Sequence, residues 1–270
     1  MKPNTIKDLS IQIRLSGLSF CILNRSTNTI ERLQHMQLEK KATPFELLNQ
    51  LKTIIESNAD FNQEFDSVLC IYQNELSTLV PKSLFDDNHL ADYLKFNAKI
   101  LKTDFIDYDT IFINNTVNVY VPLVNVNNFL FDTYGSFTYK HASTILIESV
   151  LQHASKHDDV ELYINVGYLH FEMLAAKKNN QLLFYNTFDY NTKEDFIYYI
   201  LFTIEQLKLN PEIVKINLSG QIDKDDDLFH VLYKYVRFVD FLNPICNFQF
   251  QITNPPKAKH NNFILLNSFN

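Results

Sequence analysis

Residues 9–15 alternate apolar and polar positions. Leu9, Ile11, Ile13 and Leu15 face one way and Ser10, Gln12 and Arg14 lie between them, the pattern of a strand with one buried face. Ser16-Gly17 breaks the alternation, and residues 18–23 predict a returning strand. A polar turn at 24–28 leads to a third strand over 29–38. Thr43-Pro44-Phe45-Glu46 then joins a capping hydroxyl, a proline at the first helical position and an acid three residues on. Leu47, Leu48, Leu51, Ile54 and Ile55 follow at helical spacing. A buried strand over 67–72 and a helix over 82–97 complete the unit.

The same order returns. Residues 161–166 predict a strand, Gly167 marks its turn, and 168–176 run back. The polar turn 177–180 precedes a third strand over 181–188. Asn191 with Glu194 repeats the capping spacing ahead of a helix reaching residue 207. A strand over 213–218 and a helix over 225–241 follow. Gly167 trails Gly17 by 150 positions, Asn191 trails Thr43 by 148, and Val214 trails Val68 by 146. Near-constant offsets predict an α/β fold of two βββαβα units, divided into subdomains at 1–157 and 158–270.

Between the copies, 104–114 and 117–122 predict strands, 125–133 a short helix capped by Asn125, and 140–153 a longer one. After a polar loop at 257–262, residues 263–266 predict a last strand.

Composition narrows the chemistry. Only four of 270 residues are glycine, far below the usual level of about 7%. Phosphate-cradling loops rely on glycine for close backbone approach, so any nucleotide site must manage with very few. The net charge of −7 and the lack of any Lys/Arg cluster larger than a pair argue against nucleic acid and anionic membranes as partners. Cys21, Cys70 and Cys246 lie far apart with no CxxC pair, which fits reduced core thiols in the cytoplasm. The amino terminus carries no apolar signal core, and the apolar stretch around 196–202 is too short to span a bilayer.

The segments IQIRLSGLSFCILN (11–24), STLVPKSLFDDNHLADYLKFN (77–97), NVYVPLVNVNNFLFDTYGSFTYKHASTILIESVL (118–151), INVGYLHFEMLA (164–175) and INLSGQI (216–222) thread most of the chain. Their wording resembles the bacterial family DUF3822, which is similar in fold to the superfamily of actin, the sugar kinases and Hsp70. That resemblance implies a duplicated actin-like ATPase (ribonuclease H-like) fold, with ATP and Mg²⁺ held between its halves on the turns of the first hairpin of each. Active members open the first hairpin with Asp-x-Gly, where this chain has Leu15-Ser16-Gly17. The second hairpin should read Asp-x-Gly-x-Gly, and here Asn165-Val166-Gly167-Tyr168-Leu169 stands in its place. The adenosine turn should end Gly-Gly, and here it is Ser219-Gly220.

Three of the four glycines thus fall on the implied nucleotide turns while the carboxylates do not. Mg²⁺ is held by one or two carboxylates together with substrate phosphates, and neither Leu15 nor Asn165 supplies one. The expected cleft is degenerate, built from Ser16, Gly17, Ser19, Asn165, Gly167, Ser219 and Gly220, with no catalytic residue and no bound cofactor or metal. The glycines alternatively do no more than close tight hairpins, where φ > 0 alone would justify Gly17 and Gly167.

Other constellations fall short. His153 and His157 have a zinc-compatible spacing but no remote third ligand. Asp223, Asp225, Asp226 and Asp227 open like a calcium loop, yet Leu228 and Lys234 occupy its required Gly and Glu positions. Glu161 and Glu172 alone are too few for a ribonuclease H-type nuclease. Asn125, Asn127, Asn128 and Tyr134 form a candidate recognition loop for a protein partner or a second copy of the chain. The expected role is a non-catalytic binding or assembly protein, a pseudoenzyme of the fold. The alternative is a divergent ATP-dependent kinase of the sugar or pantothenate type, or an ATPase, in which Glu148 or Glu172 would have to hold the metal.

Overall fold

The computed structural model describes residues 5–96, 98–156, 158–253 and 255–270. The chain divides into two compact units. The first comprises Met1–Ile145, Cys246–Pro255 and Leu265–Asn270, and the second Leu146–Ile245 and Pro256–Ile264.

Unit 1 opens with β1 (Lys7–Arg14), β2 (Gly17–Asn24) and β3 (Thr29–Gln37). Helix α1 (Pro44–Ser57) starts where Thr43 and Glu46 form a reciprocal capping box with Pro44 at its first turn. Leu47, Leu48, Leu51 and Ile55 bury one stripe of it, and β4 (Ser67–Tyr72) follows. The chain then departs into β5 (Ser77–Pro81), the short α2 (Leu90–Leu94), β6 (Asp107–Ile111) and β7 (Thr116–Tyr120). It returns through α3 (Val124–Tyr134), β8 (Thr138–His141) and α4 (Ala142–Ala154), within which the boundary between units falls. β1 pairs antiparallel with β2 and parallel with β4, and β4 pairs parallel with β8. The late strand β14 (Gln249–Phe250) extends the far edge, so the sheet order is β14-β3-β2-β1-β4-β8. β5, β7 and β6 form a separate three-stranded sheet around Val80, Val117 and Val119.

Unit 2 contains β9 (Glu161–Val166), β10 (His170–Lys177), β11 (Gln181–Asp189), α5 (Lys193–Gln206), β12 (Lys215–Gly220), α6 (Asp227–Tyr233) and β13 (Phe238–Phe241). Its strand order, β11-β10-β9-β12-β13, repeats β3-β2-β1-β4-β8 with the same pairing senses. A core of Leu162, Ile164, Phe171, Phe196, Ile200 and Leu218 lies between this sheet and its helices.

Several expected elements differ. Residues 82–97 are not one helix: two 3₁₀ turns precede α2, because Pro81 ends a strand and Asp86 caps a fresh turn through the Asn88 amide. Asn97 lies outside the described residues. The helix over 225–241 stops at Tyr233, and Phe238–Phe241 pairs parallel with β12. The last apolar run is helical, as α7 (Phe263–Asn267); four consecutive apolar residues carry no periodicity that separates helix from strand. α5 is capped by Thr192 with Asp195, one residue beyond the expected pair Asn191 and Glu194. No helix among the described residues is long and apolar enough to cross a membrane.

A buried polar network ties the three-stranded sheet to β8 and α4 within unit 1. Asp109 on β6 accepts from the Thr144 hydroxyl at 2.6 Å, the His141 amide at 2.8 Å and the Tyr120 hydroxyl at 3.2 Å. Asn118 donates to Ser143 at 2.9 Å and to Thr144 at 3.0 Å. The His141 ring meets the Asn74 carbonyl through Nε2 at 3.1 Å and the Ser143 hydroxyl through Nδ1 at 2.7 Å. A carbonyl only accepts, so Nε2 carries the proton and Nδ1 is the acceptor.

Burial holds the His141 pKa down, from its ordinary 6.5 to about 4. The unfolded chain takes up a proton on this side chain as pH falls through 6.5, while the folded chain refuses it until about 4. The contribution of a neutral His141 is therefore full above pH 6.5 and is lost on acidification. Burial raises the Asp109 pKa, which acts in the opposite sense. We expect wild-type protein to lose roughly 2 kcal/mol from this residue between pH 7 and pH 5. In denaturant unfolding, His141→Gln should lack that part of the slope, and equal slopes in the two proteins would refute the assignment.

Candidate functional site

The two large sheets end their central strands in the same way. In unit 1 the Gln73 amide, just beyond β4, donates to the Ile13 carbonyl at 2.9 Å. In unit 2 the Gln221 amide, just beyond β12, donates to the Val166 carbonyl at 2.7 Å. Ile13 pairs with Leu18 across its hairpin and Val166 with Phe171 across the other. Four residues therefore separate the paired positions in each: Arg14-Leu15-Ser16-Gly17 and Gly167-Tyr168-Leu169-His170.

This register corrects the alignment of the copies. Ile13 matches Val166, so Gln12 matches Asn165, Arg14 matches Gly167, and Ser19 matches Glu172. Leu15, expected at the acid position of the first hairpin, is a turn residue instead. The expected pairing of Gly17 with Gly167 is off by three places, because the glycine stands on the outgoing side of one turn and the incoming side of the other. Periodicity held the missed signal: Gln12 lies in the polar row with Ser10 and Arg14, two positions before the end of β1.

The glycines serve different needs. Neither Gly17 nor Gly167 has positive φ, contrary to expectation. A Cβ on Gly17 would lie 2.3 Å from the Met36 carbonyl oxygen, so close approach of β3 requires it. Gly220 has φ +82°, and its Cβ would meet the Val166 carbonyl oxygen at 2.1 Å.

In unit 2 the structure brings Asn165, Ser219 and Gly220 together. The Ser219 hydroxyl donates to Asn165 Oδ1 at 3.1 Å, and Asn165 Nδ2 donates to Glu172 Oε2 at 2.9 Å. Tyr185 donates to Glu172 Oε1 at 3.2 Å. Asn165, Glu172 and Ser219 are all buried, and both ends of the Asn165 amide are engaged inside the protein. Further along the same face, Glu161 accepts from Tyr163 and Asn217, each at 2.9 Å. The His153 and Tyr163 rings meet edge to face. His157 lies outside the described residues.

In unit 1, Ser16 is buried and its carbonyl accepts from the Leu38 amide and the Gln37 side chain. Ser19 is buried on the inner row, where its hydroxyl meets Arg14 Nη2 at 3.3 Å and His35 Nδ1 at 2.9 Å. Gln12 Nε2 donates to Gln73 Oε1 at 2.8 Å. On the opposite face, a pocket of about 110 Å³ opens at the ends of β1 and β4. Ile13, Leu15, Pro44, Leu76, Val121 and Leu123 supply its apolar lining, with Gln73, Asn74 and Glu75 also bordering it.

The four candidate recognition residues lie on the expected short helix, which spans Val124–Tyr134 as α3. α3 begins after Leu123, which gives no side-chain cap, and Asn125 lies inside it with Nδ2 donating to the Pro44 carbonyl at 3.0 Å. Asn127 accepts from the Tyr72 hydroxyl, and Tyr134 donates to the Phe61 carbonyl. These three hold α3 against unit 1, and Asn128 alone among the four is exposed.

A substitution pair separates crowding from backbone conformation at the glycines. Gly220→Ala combines positive φ with backbone overlap and should cost roughly 3 kcal/mol or more. Gly135, at φ +74° with nothing near its absent Cβ, should cost only about 1 kcal/mol as Gly135→Ala. Chemical unfolding of the two variants measures both, and equal losses would contradict this geometry.

A family model described as Protein of unknown function (DUF3822) matches residues 2–239. A Bacteroides thetaiotaomicron protein with an actin-like ATPase fold and unknown function is similar in structure, with TM-score 0.78 and 23% identity, over 90% of this chain and 93% of that one. A chain of the PilM-PilN type IV pilus biogenesis complex gives TM-score 0.61 at 12% identity, over 96% of each chain. The ethanolamine utilization protein EutJ from Carboxydothermus hydrogenoformans gives 0.51 at 5% identity, over 100% and 92%. These likenesses show an actin-like ATPase fold. No curated protein matches the sequence.

Proposed function

The chain belongs to the DUF3822 family, and from that premise we propose that it is a non-catalytic binding or assembly protein, acting in the cytoplasm, whose nucleotide site is degenerate. One observation carries this reading: amides, Gln12 and Asn165, stand at matching places where the resemblance implies acids. An amide is neutral and neither anchors Mg²⁺ as a carboxylate does nor accepts the nucleophile's proton. Asn165 is moreover spent on Ser219 and Glu172. Glu172, a candidate metal anchor under the kinase alternative, accepts from Asn165 and Tyr185 through its two oxygens. In the first hairpin Arg14 takes the place that Gly167 has in the second.

What unit 1 offers at this end of the sheet is an apolar recess. Ile13, Leu15, Leu76, Val121 and Leu123 suit an aliphatic or aromatic side chain of a protein partner better than a polyphosphate. The PilM-PilN complex is an instance of a similar fold engaged with another protein. By analogy, the partner here is another protein or a second copy of the chain.

Calorimetric titration with millimolar ATP, with and without Mg²⁺, is expected to give no metal-strengthened binding. Binding that tightens with Mg²⁺ would overturn the reading in favour of a divergent ATP-dependent kinase or ATPase. A photo-crosslinking side chain placed at Leu76 should trap a protein in cells, and the absence of any adduct would remove the pocket from the proposal.

A further inference from the structure

Arg14 is the last residue of β1 and belongs to the inner polar row with Ser10 and Gln12. It is half-buried, and its Nε is enclosed with no hydrogen-bond partner. The one hydrogen bond of its side chain among the described residues is long, from Nη2 to the Ser19 hydroxyl at 3.3 Å. No carboxylate among the described residues pairs with it, and burial pushes its pKa below the ordinary arginine value. Acids are not scarce, since Asp and Glu number 31 against 24 Lys and Arg. Arg25 and Arg32 of the same unit lie against Asp8 and Asp60.

A guanidinium presents five donors in a planar fork that matches the oxygens of phosphate and carboxylate. Withdrawing it from water without a counter-charge is costly, and the protein recovers that cost only when an anion arrives. The Ser19 hydroxyl stands beside the fork, and the exposed His35 ring reaches the same hydroxyl through Nδ1 at 2.9 Å. The guanidinium thus has no acid against it among the described residues, and a hydroxyl and an imidazole stand beside it.

We propose that Arg14, with Ser19 and His35, forms a binding site for a single oxyanionic group, a phosphate or a carboxylate. The site lies on the face of the sheet opposite the apolar pocket, and the inference is independent of the partner-binding reading. Arg14 supplies a fixed positive charge that does not depend on a metal.

Thermal unfolding of the full chain tests this in sodium phosphate, in sodium acetate and in sodium chloride of matched ionic strength. Wild-type protein should melt about 3 °C higher in at least one oxyanion than in chloride. Arg14→Gln should lose that difference and melt no lower than wild type in chloride, because an uncompensated cation has been removed. Arg14→Lys should keep part of the shift. A response to phosphate alone identifies a phosphoryl-bearing ligand, and a response to acetate alone identifies a carboxylate. The proposal fails if neither oxyanion stabilises wild type, or if Arg14→Gln shifts as much as wild type. It fails equally if that variant melts several degrees lower in chloride, since Arg14 would then be a structural residue.

Discussion

One backbone hydrogen bond at the end of each central strand sets the position of everything on the candidate site. The Gln73 amide closes on the Ile13 carbonyl, and the Gln221 amide closes on the Val166 carbonyl. Each bond fixes where the parallel pair of strands stops and where its hairpin begins. Strand side chains alternate faces with a period of two, so that single register decides which residues meet the core and which line the inner face. A slip by one position would put Ile13 and Val166 on the polar row and bury Arg14 in the hydrophobic core. Aliphatic residues on both sides of each sheet's core therefore hold the hairpins in place, and the polar rows inherit their geometry from that packing.

Much of the fold was legible because the core-forming elements carry clean periods. The alternation of residues 9–15, the Thr43 to Glu46 capping signal and the apolar run at 67–72 all correspond to elements of the structure. Legibility failed where tertiary pairing outweighs local pattern. Phe238–Phe241 follows a helical run closely enough to extend it, yet β12 offers an open edge and takes it as a strand. Ser77–Pro81, to which the local pattern assigned no element, is a strand because β7 pairs with it along its length. The run Phe263–Leu266 contains no polar residue to mark a face, so nothing in it separates helix from strand.

The alignment of the two hairpins was misplaced for a single reason. Glycine marks a turn without saying on which side of the turn it stands. Gly17 begins the outgoing strand because β3 crowds it, whereas Gly167 follows the incoming one. Aligning the two shifted the first hairpin by three residues and drew attention to Leu15. Strand pairing sets Asn165 against Ser219 and Val166 against Gly220, a juxtaposition that no local pattern in either segment announces.

The corrected register exposes an asymmetry between two rows of otherwise similar design. In unit 2, Ser219, Asn165, Glu172 and Tyr185 form a closed chain of donors and acceptors. Such a satisfied network rigidifies the sheet and leaves little unsatisfied capacity for a ligand. In unit 1 the amide pair of Gln12 and Gln73 is likewise matched, but the row ends on a cation with an enclosed donor and no acid. A guanidinium enclosed at Nε without a counter-charge carries a desolvation cost that its hydrogen bond to Ser19 offsets only in part. Stability therefore does not account for an arginine there. Its placement fits the anion-binding role proposed for unit 1, at the hairpin, with the amide-filled row of unit 2 serving as architecture.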